Sequence, residues 1–120
     1  MKIWVDDIRQ APEGYVWCHS VNEVKMLIDE LMAYEDGQLD ELDFYYLDDY
    51  TPGPHVLDLD HDAGTFASDG GDYINILNYL EFRAFYGSNI NFEFHIHSFN
   101  PIGVVNMRAI IEHNGWRLEQ

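Results

Sequence analysis

Thiols, cationic side chains and long apolar runs are what this chain has least of, and each shortage closes off a class of function. Cys18 is the single cysteine, so no internal disulfide forms and a thiolate metal cluster is excluded, in keeping with a reducing compartment. Six Lys and Arg stand against 22 Asp and Glu, a formal net charge of −16. Affinity for a phosphate backbone comes mostly from basic side chains, so extended nucleic-acid binding by charge is not expected. No apolar run approaches a membrane span of about 20 residues. The first residues read as a strand rather than a charged segment leading into an apolar one, so no signal peptide is expected and the expected location is cytoplasmic. Internal repeats, low-complexity tracts and linkers are absent as well.

Acids and aromatics are plentiful. With 47% hydrophobic residues, three Trp, eight Tyr and seven Phe, the chain reads as a folded globule rather than an acidic tail. Its 120 residues suit one domain spanning the whole chain. Most of the acids are expected to be solvated faces that keep the protein in solution. The remainder suit cations, and a phosphorylated ligand would be held only if a metal ion inverted the local field.

Along the chain, Lys2 to Val5 is β-prone and ends in Asp6 and Asp7, with a turn at Ala11 to Gly14. Tyr15 to Cys18 reads as a second strand. Ser20 with Glu23 forms a capping box for a helix running to about Asp36, closed by Gly37, with Val24, Leu27, Ile28 and Leu31 on its apolar face. Residues 44 to 54 form an acidic, aromatic insert that reads as a hairpin arm or an inserted flap. His55 to Asp60 is a strand with its acids at the end, followed by a small polar loop over 65 to 71. Ile74, Leu77 and Leu80 mark a helix closing near Gly87. Phe92 to Ser98 is the next strand, Asn100-Pro101 opens a last helix that ends at Asn114-Gly115, and Trp116 to Glu119 supplies a final strand. Strands alternating with helices imply an α/β fold, a three-layer sandwich with a mostly parallel central sheet.

Chemistry converges on Asp60, His61 and Asp62. Two carboxylates around an imidazole are costly to bury and cheap to keep at a strand mouth. In open α/β sheets ligands bind at the carboxyl ends of strands, and two other strands bring polar groups to that edge: the first with Asp6 and Asp7, the fourth with His95 and His97. The two histidines lie two apart on a strand and so face the same way. Carboxylates with imidazoles and no thiolate suit a divalent ion, Mg²⁺ or Mn²⁺ first, Zn²⁺ or Fe²⁺ as alternatives.

Several of these segments together resemble the cyclic-phosphate-processing receiver domains, a family related to two-component receivers. They are Val5-Asp-Asp-Ile-Arg9, Leu59-Asp-His-Asp62, Gly71-Asp-Tyr73, His95-Ile-His-Ser98, Asn100-Pro-Ile-Gly103 and Asn106-Met107, and they span nearly the whole chain. The resemblance implies a compact receiver-like, flavodoxin-like sheet. It implies that Asp6 and Asp7 match an acidic pair that holds a metal, that Asp60 matches the receiver phosphoacceptor, and that Ser98 takes the receiver hydroxyl position. The chain departs from signalling receivers in the short Asp7 to Tyr15 connection, in lacking Lys after a fifth strand, and in leaving no room for a helix after Trp116. Phosphorelay is therefore not the expected role.

The expectation is a metal-dependent phosphoesterase that opens a cyclic phosphate, either a small cyclic nucleotide or a 2′,3′-cyclic RNA end. Asp6, Asp7 and Asp60 would hold the metal. His95 and His97 would act as general acid and base or complete a second metal site. His61 and Asp62 would support the metal or position water. Arg9 would offset phosphate charge, and Ser98 and Asn100 would hydrogen-bond the substrate. Aromatic residues of the insert are candidates to stack a base. The rivals are a non-catalytic receiver-like binding module, an acidic phosphate mimic and a degenerate phosphoacceptor. No membrane is expected as a partner, and no protein partner is specified.

Overall fold

Alternation along the strands decides the architecture. In β1 (Lys2–Val5), Ile3 and Val5 are buried while Lys2 and Trp4 are not. β2 (Val16–Cys18), β3 (His55–Leu59), β4 (Phe92–Ile96) and β5 (Arg117–Leu118) complete the sheet. The computed structural model describes residues 1–38 and 50–119. The strand order is β2-β1-β3-β4-β5 and every pairing is parallel, the flavodoxin-like order.

Among the described residues, three α-helices follow β2, β3 and β4. They are α1 (Val21–Glu35), α2 (Ile74–Phe85) and α3 (Pro101–His113). Each carries the chain from one strand to another in the same direction across the sheet, and right-handed crossovers then put all three on one face. α1 packs on α2 and α2 on α3. Their inner faces, including Leu27, Leu31, Leu77, Leu80, Met107 and Ile111, close over Ile3, Val5, Leu57, Leu59 and Phe94, all fully buried. Ser20 caps α1 by accepting from Glu23 N–H, and Asn100 caps α3 by accepting from Gly103 N–H.

The step from β1 to β2 runs the other way across the sheet, so its connection belongs to the opposite face. Residues 6 to 15 are too few for a helix and its turns, and they form a loop. Where the three-layer expectation supplies a second helical layer, the described residues therefore supply this loop. It is tied to the sheet by Trp4 Nε1 donating to Arg9 O at 2.9 Å and by Trp17 Nε1 donating to Asp6 O at 2.8 Å. Tyr15 meets the Trp4 ring edge-on, centroids 6.0 Å apart.

Of the 44 to 54 insert, residues 44 to 49 lie outside the described residues. Tyr50 rests on Tyr34 of α1 and donates to Glu35 Oε2 at 3.0 Å. That places it beside the start of β3, at the amino edge of the sheet. No helix among the described residues is long and apolar enough to cross a membrane.

Candidate active site

Register across three strands builds the site. Trp4 pairs with Asp58 and Asp58 with His95, so these three side chains form a row on the face opposite α1, α2 and α3. One ladder step further, Val5, Leu59 and Ile96 end their strands on the helix side, and just past the strand ends Asp6, Asp60 and His97 return to the open face as a second row. Two rows of polar groups, one on the sheet and one on its carboxyl rim, are thereby stacked along the strand direction.

His97 links the rows. Its Nδ1 lies 2.7 Å from Asp58 Oδ1 and its Nε2 lies 2.9 Å from Asp6 Oδ2. Carboxylates only accept, so both contacts are hydrogen bonds when the ring carries two protons. Trp4 stacks against the ring with centroids 3.7 Å apart. His95 sits on the first row only. It meets Glu93 Oε2 at 3.0 Å through Nε2, and its Nδ1 is 4.0 Å from Asp58 Oδ2. The two histidines do share one face, as their spacing predicts, but only His97 touches the acid cluster.

Asp6, Asp7 and Asp60 offer carboxylate oxygens that all lie within 4.8 Å of one another. Asp6 is fully buried and Asp60 nearly so. Burial by itself would raise the Asp6 carboxyl. The backbone N–H groups of Ile8 and Arg9, then His97 and the Arg9 charge, outweigh it and hold the group below its usual range. Asp7 goes the other way: burial, then the charges of Asp6 and Asp60, push it up. Arg9 bridges the cluster, with Nε 3.0 Å from Asp6 Oδ2 and Nη2 3.1 Å from Asp60 Oδ2. Its Nη1 donates to His97 O at 3.1 Å, and the guanidinium rests 4.8 Å from the Phe99 ring centroid. Three carboxylates against one guanidinium leave a net negative, all-oxygen donor set, the kind that hard divalent cations such as Mg²⁺ and Mn²⁺ take.

The remaining expected residues form a neighbouring group. His61 N–H donates to Asp60 Oδ1 at 2.8 Å, and its ring Nδ1 lies 2.8 Å from Asp62 Oδ1. His61, Asp62 and Asp72 offer a second set of nearby ligand atoms, and neither this set nor the first includes His95 or His97. A second metal held by those two histidines therefore has no support in the geometry. Ser98 Oγ accepts from Asn100 N–H at 3.1 Å. Asn100 uses Oδ1 for its cap on α3 and turns Nδ2 toward Asp62 at 3.3 Å. Both residues shape the turn into α3. Tyr50, a base-stacking candidate, lies at the opposite edge of the sheet, and the other aromatics of the insert are outside the described residues.

Four residues were given no role by the sequence reading, although Tyr73 and Gly103 stand in segments that carry the resemblance. Asp58 sits inside a strand that reads as apolar, yet its alternation with Asp60 was a usable signal. Tyr73 is fully buried under the cluster and donates to His19 O at 2.7 Å; burial, then the charges of Asp7, Asp6 and Asp60, push its phenol far up. Gly64 has φ +56°, and a Cβ there would run into Asp7 Oδ2. Gly103 makes the same kind of room for the His61 ring.

A parallel sheet in the 2-1-3-4-5 order with an acidic pair after β1 and a third acid after β3 defines a receiver-type domain. The sequence profile described as "Cyclic-phosphate processing Receiver domain" matches residues 1–113. The chain belongs to that family. No curated protein and no solved structure matches it.

Proposed function

We propose that this receiver domain is a metal-dependent phosphoesterase that opens a cyclic phosphodiester to a phosphomonoester, on a small cyclic nucleotide or a 2′,3′-cyclic RNA end. The observation that carries the reading is the position of His97, which joins a buried carboxylate, Asp58, to an acid of the metal-type cluster, Asp6. A simple phosphoacceptor has no use for an imidazole there, whereas opening a cyclic ester needs a proton for its leaving alkoxide. The clustering of acids at strand ends, rather than over one surface, supports a site over a phosphate mimic.

Asp6, Asp7 and Asp60 would hold the divalent ion. Bound there, it would polarise a phosphoryl oxygen and lower the pKa of water. Water gives up one proton to solvent as its oxygen bonds to phosphorus, the endocyclic P–O bond breaks, and the released alkoxide takes a proton to become a hydroxyl. His97 is the donor of that proton: the leaving oxygen takes the place of Asp6 Oδ2 at Nε2, while Asp58 keeps hold of Nδ1 and fixes the ring. Arg9, which here holds Asp6 and Asp60, would turn its paired N–H groups to the non-bridging oxygens. His95, held by Glu93 on the open sheet face, stands 4.0 Å from Asp58 Oδ2 and would add its charge beside that carboxylate.

A panel of 3′,5′-cyclic nucleotides, cyclic dinucleotides and 2′,3′-cyclic ends, followed by phosphorus NMR with Mg²⁺ and with Mn²⁺, tests the proposal. Opening of at least one member, abolished by a chelator, is expected. Measurable affinity with no product under any metal would make the domain a binding module.

A further inference from the structure

Every acceptor site on Asp6 is taken. Oδ1 accepts from the backbone N–H of Ile8 at 2.9 Å and of Arg9 at 2.8 Å. Oδ2 faces Arg9 Nε at 3.0 Å and His97 Nε2 at 2.9 Å. A carboxylate has about four lone-pair directions, so a cation can bind Asp6 only if one partner leaves. Oδ1 is pinned by its own loop, which leaves Oδ2. Of its two partners, His97 is clamped between Trp4 and Asp58 with its side chain 16% exposed, while the Arg9 side chain is 39% exposed. Arg9 also covers Asp60 Oδ2 at 3.1 Å. A divalent ion between Asp6 and Asp60 and a guanidinium on the same two oxygens would repel one another.

We infer that Arg9 is a built-in stand-in for the metal: a divalent ion displaces its guanidinium from Asp6 and Asp60, and the freed guanidinium becomes the arm that grips a phosphate oxyanion beside the ion. The inference rests on the metal reading of the acid cluster proposed above. The arm does not travel far. Arg9 N–H stays on Asp6 Oδ1 and Arg9 O stays on Trp4 Nε1, so only the side chain moves, with Phe99 beside it as an aromatic rest. Without the ion the acids are neutralised from within and the arm is engaged. With it, the site gains both a metal and a free bidentate oxyanion donor. Metal and phosphate binding are thereby coupled through one residue.

The sign of one measurement decides. Titration calorimetry with Mn²⁺ alone compares wild type, Arg9→Gln and Arg83→Gln. The last removes the same charge at a surface pair with Asp29. Arg9→Gln should bind Mn²⁺ about tenfold more tightly than Arg83→Gln, within the usual range of coupling between sites. Arg9→Lys keeps a charge but cannot span both carboxylates, so it should fall between, and it carries the comparison if the Gln variant does not fold. On Mn²⁺-saturated protein, inorganic phosphate should bind Arg9→Gln at least about fivefold more weakly than wild type. Mn²⁺ binding to Arg9→Gln no tighter than to Arg83→Gln, or unchanged phosphate binding, would overturn the inference while leaving the metal site standing. Failure of every variant to bind Mn²⁺ would remove both.

Discussion

His97 lies flat on Trp4, ring planes 3° from parallel, on the face of the sheet that no helix of the described residues covers. An imidazole on an open face has many rotamers to choose from. The stack, with Asp58 at one ring nitrogen and Asp6 at the other, selects one of them, and the ordering is done before any ligand arrives.

That arrangement separates the two histidines. His97→Ala should lower turnover of a cyclic phosphate by about 10²-fold or more. His95→Ala, whose ring reaches Glu93 and stands 4.0 Å from Asp58, should cost about tenfold or less. Asp58→Asn preserves shape and should cost about 10- to 100-fold by loosening His97. Initial rates followed by phosphorus NMR give the ranking. Equal losses in both histidine variants would contradict the placement of His97 as proton donor.

Asp6 and Asp7 should respond to pH in opposite senses in metal-free protein. The fold lowers the Asp6 carboxyl, so its stabilisation is present above the ordinary aspartate range and is lost as pH falls through the lowered folded value. The fold raises the Asp7 carboxyl, so the native state favours its protonated form; that contribution is present at low pH and is lost as pH rises through the raised folded value. At neutral pH Asp7→Asn should therefore raise the urea midpoint and Asp6→Asn should lower it. Added Mn²⁺ should stabilise wild type and do little for Asp7→Asn. A lowered midpoint for Asp7→Asn would show that the carboxylate is satisfied without an ion.

Gly64 couples the loop after β3 to the metal-type cluster. Gly64 and Gly14 both have positive φ, but a Cβ at Gly14 meets nothing within 4 Å, whereas one at Gly64 meets Asp7. Gly14→Ala should cost about 1 kcal/mol in backbone strain alone. Gly64→Ala should cost more, about 2–3 kcal/mol, and should also weaken Mn²⁺ binding by displacing Asp7. Thermal unfolding and Mn²⁺ calorimetry on both variants check the pair, and indistinguishable behaviour would show that the Asp7 contact carries nothing.

How much of this was legible beforehand follows from which forces are local. Helix ends are set within a few residues, so Ser20 with Glu23, Gly37, Asn100-Pro101 and Gly115 could be read directly. The acids ending β1 and β3 are visible because charges interrupt an apolar run. Parity along a strand also comes from sequence, which is why His95 and His97 were rightly given one face. Asp58 was passed over because its neighbours Leu57 and Leu59 look like the core they belong to, and only the uncovered second face makes a carboxylate between them affordable.

The chain by itself therefore determined the parallel α/β order, the capped helices, and the set of ionisable groups delivered to one edge. Tertiary structure alone decided which of them meet. Register is a long-range property: nothing local in Trp4, Asp58 and His95 says that they form one row, or that the row beyond it brings Asp6, Asp60 and His97 together. The direction of each crossover, fixed by chirality and strand order, left the second face without a helix among the described residues. That opening is what allows His97 to stack on Trp4, Asp58 to remain a buried acid with an imidazole partner, and Arg9 to fold back across Asp6 and Asp60.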